Sequence, residues 1–136
     1  MSTCVDASLA VKWLAYEPGS EQAVAWLNAH AGDDLTAPVF LPMEVASVLR
    51  QKICRAEMTA EEGLRALKLL EGLKIRLVWD WSLLERALAL AAELDQSTAY
   101  DTVYLALAEK DGSELWTADA RFARAASRMY PQVRLI

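Results

Sequence analysis

Thr3-Cys4-Val5-Asp6-Ala7-Ser8 reads as a short buried strand that runs straight into an acid and then into a helix. Leu115-Trp116-Thr117-Ala118-Asp119 repeats the arrangement near the other end of the chain. Between them, β-type runs alternate with helical patterns. Leu9–Tyr16 and Glu21–Ala29 have helical spacing, with Pro18, Gly19 and Ser20 as break and cap. Leu35–Ala37 fits a short second strand. Pro42–Arg55 is a helix with proline where its missing N–H does no harm. Thr59-Ala60-Glu61-Glu62 matches a capping box, and Leu64, Leu67, Leu70 and Leu73 follow at helical intervals. Ile75–Trp79 reads as a strand, Ser82–Leu94 and Ala99–Lys110 as helices, and Gly112 as a stop. Glu114–Thr117 is a strand, Ala120–Met129 a last helix, and Val133–Ile136 a closing strand after Pro131. Such alternation implies βαβ crossovers and a mainly parallel sheet with helices on both faces. Sites in such folds lie at the carboxyl ends of the strands.

Composition narrows the class. The 136 residues are 54% apolar, enough for a core without disulfides, and no linker or repeat divides them, so one domain over 1–136 is expected. No apolar run is long enough to span a bilayer, and the N-terminus lacks a signal-peptide layout, so a cytoplasmic protein with no membrane attachment is expected. Cys4 and Cys54 sit in apolar surroundings and read as reduced core residues. His30, the only histidine, reads as a solvated helix end, which leaves zinc and histidine-base chemistry poorly supplied. The net charge of −5 argues against nucleic acid unless cations or a partner supply positive charge.

Four acids fall at strand ends or in first helical turns, on what would be one rim of a parallel sheet. Asp6 and Asp119 each follow a strand and open a helix, and N-capping accounts for each as well as function does. Glu44 lies in the first turn of its helix among Leu41, Val45 and Val48. Asp101 completes a possible capping box with Thr98, yet its helix continues Val103-Tyr104-Leu105-Ala106-Leu107-Ala108, apolar on all sides and hence buried. Carboxylates crowded on one rim repel each other, and a hard divalent cation such as Mg2+ or Mn2+ resolves the conflict. Metal-activated water at such a pocket would hydrolyse a phosphodiester without a side-chain nucleophile. Thr117 and Ser8 would either hold a carboxylate or a water, or simply bond backbone at the helix starts.

Val5-Asp6-Ala7-Ser8, Pro42-Met43-Glu44-Val45, Ala99-Tyr100-Asp101-Thr102 and Thr117-Ala118-Asp119 resemble, in order and spacing, the motifs of PIN-domain nucleases over essentially the whole chain. The small form most resembles VapC-type toxins of toxin–antitoxin systems. The resemblance implies a PIN-like three-layer α/β/α sandwich and a metal-dependent ribonuclease. It implies the family's acidic positions at Asp6, Glu44, Asp101 and Asp119, with Thr117 as the accompanying hydroxyl. It implies a homodimer and a cognate antitoxin that fills the active-site groove. A fifth acid found in some members is replaced here by Ala120, Arg121 and Phe122, which implies a weak second metal site. Arg50, Lys52 and Arg55 on one helix and Arg121, Arg124 and Arg128 on another would grip RNA phosphates, or are solvated helix faces. Trp13, Trp26, Trp79, Trp81 and Trp116 are candidates for base stacking, core or dimer surface.

Two other readings compete. A phosphatase of the haloacid-dehalogenase type wants a second Asp where Ser8 stands, and a receiver domain wants a lysine after Lys110. A non-catalytic interaction module would have no use for the intact acid set.

Overall fold

The computed structural model describes residues 2–136. Five strands alternate with seven helices: β1 Ser2–Val5, α1 Ala7–Leu14, α2 Ser20–Ala29, β2 Asp34–Pro38, α3 Leu41–Cys54, α4 Ala60–Gly72, β3 Arg76–Val78, α5 Trp81–Glu93, α6 Tyr100–Asp111, β4 Glu114–Thr117, α7 Ala120–Ala126 and β5 Val133–Leu135. The sheet order is β3-β2-β1-β4-β5, and every pairing is parallel. The chain steps outward one way through β2 and β3, then returns to lay β4 and β5 on the other side of β1. The order therefore switches between β1 and β4, where an α/β sheet opens a crevice at its carboxyl edge. The fold is the α/β sandwich expected, and its sheet is wholly rather than mainly parallel.

The core explains why α6 carries so little polarity. Thr102 through Ala108 are all buried, because α6 packs on β1, β2 and β4 from one side and on α5 from the other. Thr102 meets the cost of burial by donating its hydroxyl to Ala87 O of α5 at 2.9 Å. The opposite layer is built from α1, α3 and α4, which pack on one another. Leu9, Ala10 and Val11 of α1 are buried there. The Thr59 capping box forms as read, with both reciprocal bonds present. Gly112 closes α6 at φ +64, a conformation that favours glycine.

Some local expectations fail for physical reasons. The last helix ends at Ala126, not Met129. Ala126 O receives the N–H groups of Met129 and Tyr130, which turns the chain toward β5 earlier than Pro131 alone requires. Cys4 is buried, but Cys54 is exposed. It closes α3 beside Ile53, and that neighbour is the one turned inward against Gly63. His30 does end α2, yet its ring is not simply solvated. It stacks on Trp26 with centroids 4.0 Å apart, and Trp116 lies over it at 5.8 Å. Trp13, Trp26 and Trp116 thus belong to packed aromatic contacts, whereas Trp79 and Trp81 pair edge-to-face on the surface.

Candidate active site

The register of β1 and β4 pairs Val5 with Trp116, so the next residues, Asp6 and Thr117, meet at the switch point. Asp6 caps α1 and Asp119 caps α7. Glu44 arrives on the first turn of α3, just after β2, and Asp101 on the first turn of α6. All four carboxylates line one open cleft of about 760 Å³. Phe40, Met43, Val48 and Tyr100 form its apolar walls.

The four acids are held very differently. Asp6 is only 5% exposed and accepts three hydrogen bonds: Leu9 N at 3.0 Å, Ser8 Oγ at 2.7 Å, and Thr117 Oγ1 on its second oxygen. Burial pushes its carboxyl up to about 6; those hydrogen bonds restrain the rise, and the charge of Asp101 adds to it. Ser8 Oγ also accepts from Ala118 N, and Thr117 Oγ1 from Asp119 N, each at 3.0 Å. Thr117 therefore serves Asp6's carboxylate and Asp119's backbone. Ser8 and Thr117 together tie the β1–α1 junction to the β4–α7 junction.

Glu44 accepts a 2.6 Å hydrogen bond from the buried hydroxyl of Tyr104. Its carboxyl is raised by burial, restrained by that bond, and raised again by Asp101. Asp119 accepts from the backbone of Arg121 and Phe122 at 3.0 and 3.1 Å. Asp101 is bare. Among the described residues its carboxylate has no hydrogen bond and no ion pair, and burial followed by the charge of Asp119 raises it. The expected Thr98 capping box does not form. Ala99 is the N-cap and makes no side-chain bond, because Thr102 anchors this turn instead. The bland account of Asp101 therefore fails, while the bland accounts of Asp6 and Asp119 are true and incomplete.

The donor set suits a hard cation. No Lys, Arg or His pairs with any of the four acids among the described residues, and the raised carboxyls share the cleft uncompensated. Among the same residues no three acidic, His or Cys side chains are gathered as a ready cage. Such a set fits an ion that keeps several waters and takes one or two carboxylates directly, as Mg2+ does. His30 is occupied elsewhere, with Nδ1 2.8 Å from Trp26 O.

The predicted basic residues lie outside the cleft lining. Arg50 is exposed and faces the groove between α3 and α4, while Arg121 and Arg124 are exposed on α7. The cation that does line the cleft is Lys12, which carried no signal beyond its place on an amphipathic helix. Tyr104 also escaped notice, because a tyrosine in an apolar helix reads as core and its partner lies in a distant part of the sequence.

The PIN domain family model matches residues 3–128. Over 119 residues, 88% of this chain and 87% of the relative, the sequence is 34% identical to VapC ribonuclease Mb0985 of Mycobacterium bovis. It matches Ribonuclease VapC9 of Mycobacterium tuberculosis with the same identity and coverage.

Proposed function

The chain belongs to the PIN-domain family, and on that footing we propose that it is a metal-dependent endoribonuclease. It would be the toxin of a toxin–antitoxin pair, working as one domain over residues 1–136. The observation that carries this reading is the convergence of four carboxylates, from four different elements, on one cleft that offers them no cationic partner. The names of the two relatives support RNA as the substrate.

Asp6, Asp101, Asp119 and Glu44 would hold Mg2+ or Mn2+. A bound divalent cation supplies positive charge to the scissile phosphate and lowers the pKa of a water beside it. The chain's own residues do the rest. Ser8 and Thr117 fix both oxygens of Asp6, so that carboxylate is a rigid post. Glu44 is steered by Tyr104 through one oxygen, which leaves the other able to take a proton from a water in the cleft. Its carboxyl is raised by burial, which makes it a stronger proton acceptor than a solvated glutamate. Tyr100 and Phe40, edge-to-face at 5.6 Å, wall the cleft and offer ring surface to a base.

The same reading includes a homodimer, a cognate antitoxin that occupies the cleft, and a cytoplasmic site of action. No helix of the described residues is long and apolar enough to cross a membrane. The test is cleavage of total cellular RNA by purified protein, with Mg2+ or Mn2+ and with chelator. Discrete, metal-dependent products are expected. A preparation that neither cleaves nor gains melting temperature on adding metal would make this chain an interaction module.

A further inference from the structure

The cleft has a second charged end. Lys12 Nζ lies 3.1 Å from Glu17 Oε1 and 2.7 Å from Pro18 O, and Lys52 Nζ lies 2.8 Å from Glu17 Oε2. The two lysine side chains are only 18% and 12% exposed. Two ammonium groups thus share one carboxylate, and one positive charge is left over where water is scarce. Glu17 lies in the link between α1 and α2, so Lys52 alone would hold that link to α3, and a largely buried charge without an ion-pair partner of its own is costly unless an anion arrives.

The position tells which anion. Ser8 and Lys12 stand one helical turn apart on α1, and Glu44, Val48 and Lys52 recur at four-residue steps on α3. These two helices pack side by side; Ser8, Lys12, Glu17, Glu44 and Val48 line the cleft, and Lys52 stands one turn beyond its lining, reaching it through Glu17. At 1.5 Å per residue, Lys12 lies about 6 Å along α1 from Ser8, and Lys52 about 12 Å along α3 from Glu44. The groove therefore runs from carboxylates to lysines. A polyanion whose reacting phosphate sits among the acids meets the lysines with a neighbouring phosphate.

We propose that Lys12 and Lys52, hinged on Glu17, form a subsite for a backbone phosphate flanking the scissile one. This rests on the reading of RNA as substrate. The lysines bind and position the strand; they are not catalytic residues.

The test is anisotropy of a labelled short, mixed-sequence single-stranded oligoribonucleotide, titrated over a range of salt in Mg2+, with Asp101→Asn as the non-cleaving parent. Lys52→Gln should weaken binding about tenfold at low salt. It should also make the slope of log affinity against log salt shallower by about 0.7. Lys52→Arg should restore both. Glu17→Gln is decisive, because it frees both lysines. Tighter RNA binding with a steeper salt slope is expected, even as the melting temperature falls. If Glu17→Gln lowers the melting temperature but leaves affinity and slope unchanged, the cluster is only a clasp between helices and the subsite is overturned. If the parent binds no RNA at all, the ribonuclease reading falls and the subsite with it.

Discussion

Asp6 and Asp101 share a cleft and stand in opposite situations. Asp6 is fastened by a backbone amide and two hydroxyls, and it starts a helix. Asp101 touches no donor among the described residues and caps nothing. The first is part of the structure's own hydrogen-bond accounting. The second costs the fold something and returns nothing to it, as the metal-holding role proposed for it would require. Removal of Asp6 therefore mixes loss of architecture with loss of chemistry, while removal of Asp101 separates them.

Asp101→Asn breaks or sharpens that contrast most sharply. RNA cleavage should fall by about a thousandfold or more. The metal-free melting temperature should hold or rise, because one of two mutually repelling charges is gone. A large drop in melting temperature would show that Asp101 has a structural role after all.

The next effect is one of pH. Asp6 in the folded protein titrates near 6, above the ordinary carboxyl value. The folded state therefore binds the proton more tightly than the unfolded chain does. The stability this contributes is complete below about pH 4 and is lost as pH rises through about 6. In chelator, wild type should lose about 2 kcal/mol relative to Asp6→Asn between about pH 4 and pH 7, read from denaturant midpoints. A flat difference would mean that the hydroxyls of Ser8 and Thr117 cancel the burial.

Tyr104→Phe is the smallest of the three. It removes the one donor on Glu44 and leaves the packing intact. Cleavage should fall about tenfold, in the range found when a group orienting a functional ligand is lost. The acid limb of the pH–rate profile should move up as Glu44 loses a bond that favours its charged form. An unmoved profile would separate Glu44 from the proton transfer.

What could be read from the sequence follows from what is local. Strand and helix positions came through because hydrophobic period and caps are properties of short windows; the exit of α7 was placed three residues late and α1 two residues late at both ends. The four acids were legible because each sits at a local boundary between strand and helix. Their shared rim followed from the parallel topology. Tyr104, Lys12 and Glu17 were not legible, and Lys52 was legible as a phosphate candidate but not as a partner of Glu17. A hydroxyl on an apolar helix and lysines on amphipathic ones look ordinary until tertiary packing supplies the partner. The arginines on α3 and α7 were legible as charge but not as place, since composition does not say which way a helix face turns.

The double duty of Asp6 bears on how related genes diverge. A descendant that gave up chemistry would still need a capping side chain here, because its first helix starts there, but Asn or Ser would serve as well. Asp101 would drift freely once the cleft had nothing to hold. In a collection of such chains a capping residue at the first position would therefore outlast the activity, and an acid at the third would mark the members that still cut.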